Sequence, residues 1–188
     1  MSTPANAVMR AELFEILKEK SFRTGQFILA SGKTSNYYLD CRISTLTGRG
    51  AYLIGHLLYP EIASLYVDAV GGMSIGADPI VSAITYASAE AGHPLNGFLI
   101  RKEAKGHGTG RQIEGNLSSW MRAVLVEDVV TTGSSTLKAI EVIKATYPSV
   151  QIAKVFSIVD REAGGQEAFT QAGVPYQSLY SVREFLAE

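Results

Sequence analysis

The chain has 188 residues and a formal net charge of −1, with 46% hydrophobic and 19% charged residues. This length fits a single domain, the composition excludes a disordered chain, and the balanced charge argues against nucleic acid as a partner. The single cysteine, Cys41, cannot form an internal disulfide, which indicates a cytoplasmic location, and no apolar run is long enough to cross a membrane.

The first part of the chain predicts a helix, a hairpin and a second helix. Apolar residues recur at helical spacing from Met9 to Lys20, whereas the stretch from Gln26 to Ile43 alternates as the two strands of a hairpin do. A second helix is predicted from its cap at Thr47 to Tyr59, where Pro60 ends it. We expect residues 1 to about 46 to form a small hood over a ligand site in the rest of the chain.

From about residue 62 onward, short apolar strands alternate with amphipathic helices. Asp78 and Pro79 predict the cap and first turn of one helix, and a second helix carries Leu137, Ile140 and Ile143 on one face. This alternation predicts an α/β fold, a central parallel sheet flanked by helices, with ligands at the carboxyl ends of the strands. The predicted strands are Val67–Val70, Phe98–Ile100, Ala123–Val126 and Ile152–Val159.

The connection between Ile100 and Ala123 is rich in glycine and shows neither helical nor strand periodicity. Connections of this length in a compact domain are usually functional or disordered. A basic, glycine-rich loop suits a lid that closes over an anionic substrate and excludes water, and the alternative is a solvated charged loop. Before the turn at Gly115, its cationic and histidine side chains are Arg101, Lys102, Lys105, His107 and Arg111.

The strongest signal is the string from Val124 to Ser135, an apolar strand that ends in Glu127 and Asp128 and leads into a helix. The turn from Thr131 to Ser135 presents hydroxyls and backbone N–H groups at the helix start, a favourable place for an anion. Adjacent carboxylates are costly to bury unless a ligand compensates them, as sugar hydroxyls or a divalent cation do. The string therefore indicates a phosphorylated sugar, and the alternative is a capped helix beside surface acids.

The string Val124–Ser135 resembles the phosphoribosyl-diphosphate (PRPP) motif of type I phosphoribosyltransferases. Three further segments narrow the resemblance to the orotate phosphoribosyltransferase family: Arg101–Gly108 in the glycine-rich loop, Ser31–Tyr38 in the hairpin and Val159–Arg161 at a strand end. Their order and spacing match this family over nearly the whole chain.

The resemblance implies transfer of the phosphoribosyl group of PRPP to orotate, giving orotidine 5′-monophosphate and pyrophosphate, a step of pyrimidine biosynthesis. It implies Asp128 and Lys105 as catalytic residues, and orotate contacts from Thr131, Arg161, Tyr37 and Tyr38. The PRPP-binding residues that it implies are Arg101, Lys102, Lys105, His107, Glu127, Asp128, Val129, Val130, Thr131, Thr132, Gly133, Ser134 and Ser135.

The resemblance also implies a Mg²⁺ cofactor carried mainly by PRPP oxygens and water, without a protein-held metal site, and a homodimer in which lid residues cross the interface. Two lysines common in the family are missing, since Ala30 stands at one position and no lysine lies between Val70 and Asp78. The lid is therefore expected to supply most of the positive charge. Two alternatives remain: a phosphoribosyltransferase for a purine base, and a PRPP-sensing regulator without catalysis.

Overall fold

The structure, a computed structural model, describes residues 4–28, 32, 34–103 and 111–187. Its helices are α1 (Pro4–Lys20), α2 (Arg42–Thr45), α3 (Gly48–Ala63), α4 (Asp78–Glu90), α5 (Ser134–Thr146), α6 (Gly165–Gln171) and α7 (Val182–Leu186). Its strands are β1 (Phe22–Ile28), β2 (Thr34–Leu39), β3 (Ala69–Met73), β4 (Asn96–Ile100), β5 (Ile113–Gly115), β6 (Arg122–Val130), β7 (Gln151–Asp160) and β8 (Tyr176–Ser181). Among these helices, none has the length and apolar character to cross a membrane.

A six-stranded sheet in the order β5-β4-β3-β6-β7-β8 forms the centre of the molecule. Its neighbouring strands are parallel except for β5, which runs antiparallel to β4. Successive residues of β6 face opposite sides of the sheet. Val124 and Val126 pack in a core with residues of α3 and α4, whereas Leu125 packs in a second core with residues of α5 and α6. The predicted α/β fold with helices on both faces is confirmed.

The segment before the sheet contains the predicted helix and hairpin. Helix α1 begins at Pro4, earlier than predicted, and β1 and β2 pair antiparallel with Phe22 opposite Leu39. Leu13 and Leu17 of α1 are fully buried in the same core as Leu53 of α3. This packing anchors the hairpin beside the sheet, and its role as a hood stays a prediction.

Two further predicted helix boundaries were wrong. Helix α3 runs through Pro60 to Ala63. A proline in the last turn removes only one backbone hydrogen bond, and Ile62, two residues later, is fully buried. Helix α4 is capped by Ala77 without a side-chain hydrogen bond, while Asp78 is its first residue and accepts a hydrogen bond from the Ser74 hydroxyl at 2.8 Å. The predicted cap at Thr47 is confirmed, since its side chain accepts from the Gly50 N–H.

Strand β3 begins two residues later than predicted and continues through Gly71 and Gly72. Glycine pairs usually indicate a turn, but both glycines are required here by close packing. A Cβ atom on Gly71 would lie 2.4 Å from the Phe98 ring, and one on Gly72 would lie 2.2 Å from the Val126 carbonyl oxygen. The strand therefore ends only at Met73, which brings the following loop to the carboxyl edge of the sheet.

The connection between Ile100 and Ala123 contains a short strand that its pattern did not predict. Strand β5 pairs with β4, with Ile113 opposite Ile100, and three residues are too few to show an alternation. Residues 104–110 of this connection, among them Lys105 and His107, lie outside the described residues. Helix α6, strand β8 and helix α7 were also not predicted.

Candidate active site

A cleft of about 290 Å³ opens at the carboxyl ends of β3, β6 and β7. This is the edge of the sheet at which a ligand site was predicted. A larger depression of about 930 Å³ lies near the opposite ends of the strands, but it lacks the acid pair and the helix start. The cleft is lined by Tyr38, Leu39, Asp40, Arg42, Met73, Ser74, Ile75, Gly76, Lys102, Glu127, Asp128, Val129, Thr131, Ser135 and Arg161.

The acid pair, Glu127 and Asp128, is half-buried near the end of β6. Burial raises the pKa of Glu127 to about 7, although a hydrogen bond of 2.7 Å from the Thr136 hydroxyl to Oε2 opposes this shift. Burial also raises the pKa of Asp128, and the Val129 N–H, 2.9 Å from Oδ1, and the Arg42 guanidinium oppose it. Both groups therefore face the cleft as acceptors that a hydroxyl-bearing ligand would stabilise.

The turn after β6 leads directly into α5, whose first residue is Ser134. Gly133 adopts the left-handed conformation, with φ of +73°, and a Cβ atom there would lie 3.0 Å from Cζ of Phe169. Thr131 and Ser135 line the cleft. Thr132 and Ser134, two further residues predicted to bind PRPP, are exposed. The Thr132 hydroxyl donates to the Ser134 hydroxyl at 3.1 Å.

The two valines after the acid pair differ in position. Val129 lines the cleft, whereas the Val130 side chain is buried in the core with α5 and α6. The Val130 carbonyl accepts the Arg161 N–H at 2.9 Å. Val130 therefore contributes to the site through its backbone. Its carbonyl holds Arg161, the first residue after β7.

Arg161 and Tyr37 form a contact between the end of β7 and the hairpin. Nε of Arg161 donates to the Tyr37 hydroxyl at 3.0 Å, and the guanidinium carbon lies 4.7 Å from the Tyr37 ring centroid. The Tyr37 ring in turn stacks on Phe22 at 5.7 Å. Arg161 and Tyr38 both line the cleft. Through its hydrogen bond, Tyr37 therefore holds the Arg161 guanidinium in an orientation that faces the cleft.

The described part of the predicted lid contains Arg101, Lys102 and the exposed Arg111. Lys102 lines the cleft, whereas Nε of Arg101 donates to Glu114 at 3.0 Å, next to the paired strands β4 and β5. The predicted contacts from Lys105 and His107 fall outside the described residues. Arg101 and Lys102 therefore fix where the loop leaves the sheet.

Asp40 and Arg42 line the cleft but were not predicted from the sequence. They follow β2 and form an ion pair. The available signal was an acidic and a basic residue two positions apart after a strand. The loop Ser74–Gly76, which connects β3 to α4, belongs to the glycine-rich segment Val70–Asp78, for which the resemblance implies contact with the pyrophosphate of PRPP.

Comparison with known proteins gives a consistent result. No protein-family model matches the chain. An orotate phosphoribosyltransferase from Rhodopirellula baltica is 44% identical over 181 residues, which cover 93% of each chain. The solved structure of Mycobacterium tuberculosis orotate phosphoribosyltransferase with Fe(III) dicitrate is 37% identical, with a TM-score of 0.83 over 94% of this chain and 98% of that one.

A second structure of the Mycobacterium tuberculosis enzyme was solved in complex with PRPP. It is 33% identical, with a TM-score of 0.79, and the match covers 94% of this chain and 98% of that chain. Identity above 30% along nearly the full length, together with the shared fold, agrees with the resemblance carried by the Val124–Ser135 string. The chain belongs to the orotate phosphoribosyltransferase family.

Proposed function

We propose that this enzyme transfers the phosphoribosyl group of PRPP to N1 of orotate, giving orotidine 5′-monophosphate and pyrophosphate in pyrimidine biosynthesis. The observation that carries this proposal is the acid pair beside the start of α5 in one cleft. The relatives are orotate phosphoribosyltransferases, and one was solved with PRPP bound. The enzyme acts in the cytoplasm, which agrees with a single, buried, free cysteine.

The acid pair is suited to the ribose of PRPP. Breaking the anomeric C–O bond leaves positive charge on the ribose ring and negative charge on pyrophosphate, so the protein accelerates the step by complementing both charges. Glu127 and Asp128 accept hydrogen bonds from the ribose hydroxyls and stand near the growing cation. Because burial raises the pKa of both carboxyls, their ionised forms gain most when the ribose supplies those donors.

The turn Thr131–Ser135 is the proposed seat of the 5′-phosphate. It stands at the N-terminus of a 13-residue helix, where backbone N–H groups and the helix dipole favour an anion. Its hydroxyls add further donors, and the left-handed Gly133 lets the backbone turn tightly beneath the phosphate.

Orotate would lie at the Arg161 side of the cleft. A guanidinium is well matched to a carboxylate because its donors form a planar fork. Tyr37 orients Arg161, and Tyr38 offers a ring beside the planar base. Thr131, the first residue of the phosphate seat, lines the same cleft and is also assigned to orotate. Lys102 faces the leaving pyrophosphate, and Arg101, Lys105 and His107 share this task when the lid closes.

Mg²⁺ is part of the proposal. Among the described residues, no group of three or more His, Cys, Asp or Glu side chains is placed to hold a metal ion. The cleft nevertheless presents the carboxylates of Glu127 and Asp128, and Mg²⁺ usually takes one or two carboxylates, waters and substrate phosphates. The donor set fits an ion carried mainly by PRPP, and the ion would neutralise part of the diphosphate charge.

A homodimer is proposed from the surface between α3 and α4. Here a groove of about 600 Å³ is lined by Leu46, Tyr52, Pro79 and Tyr86, and Leu46 and Tyr86 are 73% and 66% exposed. Clustered large apolar side chains on a surface mark an interface. Because α4 follows the Ser74–Gly76 loop directly, a second copy seated on this groove would lie next to the active-site cleft.

The dimer is tested with Leu46→Asp, which places a charge in the groove, against Val8→Asp on α1, also at a 68% exposed apolar position. Sedimentation should show a dimer for the unmodified enzyme and for Val8→Asp, and a monomer with reduced turnover for Leu46→Asp. A fully active monomeric unmodified enzyme would refute the dimer.

The activity is tested by measuring pyrophosphate release from PRPP with orotate, hypoxanthine and adenine as acceptors. Turnover is expected with orotate alone, and activity only on a purine would refute the proposal. Asp128→Asn should lower kcat by about 100-fold or more with the fold intact, because an amide stabilises the ribose cation poorly. Unchanged kinetics would refute the ribose assignment.

A further inference from the structure

Arg42 places a positive charge on the cleft wall at a position that the sequence pattern did not indicate. It is the first residue of α2, its side chain is 46% exposed, and it lines the cleft together with Ser74, Gly76 and Asp128. The loop from Ser74 to Gly76 carries no charge of its own. Apart from Arg161, the cationic side chains that the described residues bring to this cleft are Arg42 and Lys102.

Asp40 fixes the orientation of Arg42. Nε of Arg42 donates to Oδ1 of Asp40 and Nη2 donates to Oδ2, both at 2.8 Å, while the Arg42 backbone N–H also donates to Oδ1 at 3.1 Å. This two-point contact holds the guanidinium plane. The remaining guanidinium N–H groups make no hydrogen bond to the described residues, so Arg42 presents free donors at the edge of the cleft.

The substrates bring three anionic groups to the cleft, and two of them have other partners. The 5′-phosphate is assigned to the turn at the start of α5, and the orotate carboxylate to Arg161. The diphosphate carries the most charge, and its negative charge grows as the anomeric bond breaks. A group that contacts it stabilises the transition state as well as the bound substrate.

We propose that Arg42 binds the diphosphate of PRPP and the pyrophosphate released from it, with Asp40 as the residue that positions Arg42. This inference rests on the proposed function. Arg42 thereby supplies hydrogen-bond donors to a cleft wall on which the loop Ser74–Gly76 carries no charged side chain. Because the Asp40 carboxylate neutralises the charge of Arg42, Arg42 acts on the diphosphate mainly through hydrogen bonds from its oriented guanidinium.

The test measures KM for each substrate in both directions with Arg42→Gln and Arg42→Lys. Arg42→Gln should raise KM for PRPP, and for pyrophosphate in the reverse reaction, by about tenfold or more. KM for orotate and for orotidine 5′-monophosphate should stay within about twofold. Arg42→Lys keeps the charge and loses the planar fork of donors. Its KM values for PRPP and pyrophosphate should therefore lie between those of the unmodified enzyme and those of Arg42→Gln. Asp40→Asn should raise KM for PRPP and KM for pyrophosphate as well, by a smaller factor than Arg42→Gln.

Arg10→Gln is the matched control, because Nη2 of Arg10 donates to both carboxylate oxygens of Glu184, at 3.1 and 2.9 Å, away from the cleft and from the groove between α3 and α4. It should leave every KM unchanged. The inference is overturned if Arg42→Gln leaves KM for pyrophosphate within twofold of the unmodified enzyme, or raises KM for orotate equally. An unmodified enzyme without activity on orotate would instead refute the proposed function, so the two failures are distinguishable.

Discussion

The backbone of Gly76 lies against the carboxylate of Asp128, so that a Cβ atom on Gly76 would be 2.5 Å from Oδ1 and 2.9 Å from Cγ. Real Cβ atoms do not approach an oxygen this closely, and either the loop or the carboxylate must move to accept one. The loop between β3 and α4 thus acts as a wall that sets the position of Asp128.

Gly76→Ala is therefore expected to lower kcat by about tenfold or more while changing stability little, because it displaces the proposed ribose-binding carboxylate. The measurement is steady-state turnover together with thermal unfolding. Gly97→Ala on β4 is the control, since a Cβ atom on Gly97 would meet only side-chain methyls of Thr85 and Val81, at 3.3 Å, away from the cleft. Equal turnover of Gly76→Ala and the unmodified enzyme would contradict the assigned contact.

Glu127 is expected to limit the stability of the ligand-free enzyme at alkaline pH. Burial raises its pKa in the folded state from 4.5 to about 7, so between these values the folded state binds more protons than the unfolded state. The free energy of unfolding therefore falls as pH rises through this range, and the loss is complete above pH 7. Below 4.5 the carboxyl is protonated in both states and contributes no such loss.

Glu127→Gln should accordingly raise the free energy of unfolding at pH 8 by about 1–3 kcal/mol, with a much smaller gain at pH 4.5, while turnover falls. Urea unfolding at both pH values measures this. Glu61→Gln, an exposed position on α3, serves as the control. A gain that is the same at both pH values would show that burial of the charge is not its cause.

Thr136 is expected to tune the ionisation of Glu127. Its hydroxyl donates to Oε2 at 2.7 Å and thereby lowers the pKa of Glu127 against the effect of burial. Thr136→Val removes this donor at nearly constant volume, so the acid limb of the kcat/KM profile should move to higher pH by about one unit. Thr136→Ser keeps the donor and should keep the profile. An unmoved acid limb in Thr136→Val would mean that Glu127 ionisation does not govern activity.

The string from Val124 to Ser135 was predictable because strand, acids and helix start are contiguous, and each is formed by local patterns. The α/β fold was predictable for the same reason, from alternating apolar runs. Arg42 was not, because it lies in the same cleft as Asp128 only through the packing of α2 against α3 and α4, which no local spacing encodes. Nor was the path of β3 through Gly71 and Gly72, since the packing of Phe98 against Gly71 overrides the usual preference of glycine pairs for turns.

Tyr37 is expected to act on orotate binding through Arg161 rather than by direct contact. Tyr37→Phe removes the hydroxyl that accepts from Nε of Arg161 and keeps the ring that stacks on Phe22. The loss of one hydrogen bond should raise KM for orotate by about two- to tenfold, with kcat and KM for PRPP nearly unchanged. Tyr66→Phe, at a 90% exposed tyrosine away from the cleft, should change none of these constants. If Tyr37→Phe raised KM for PRPP and left orotate unaffected, Arg161 would belong to the PRPP side of the cleft and the assignment of the base site would have to be reversed.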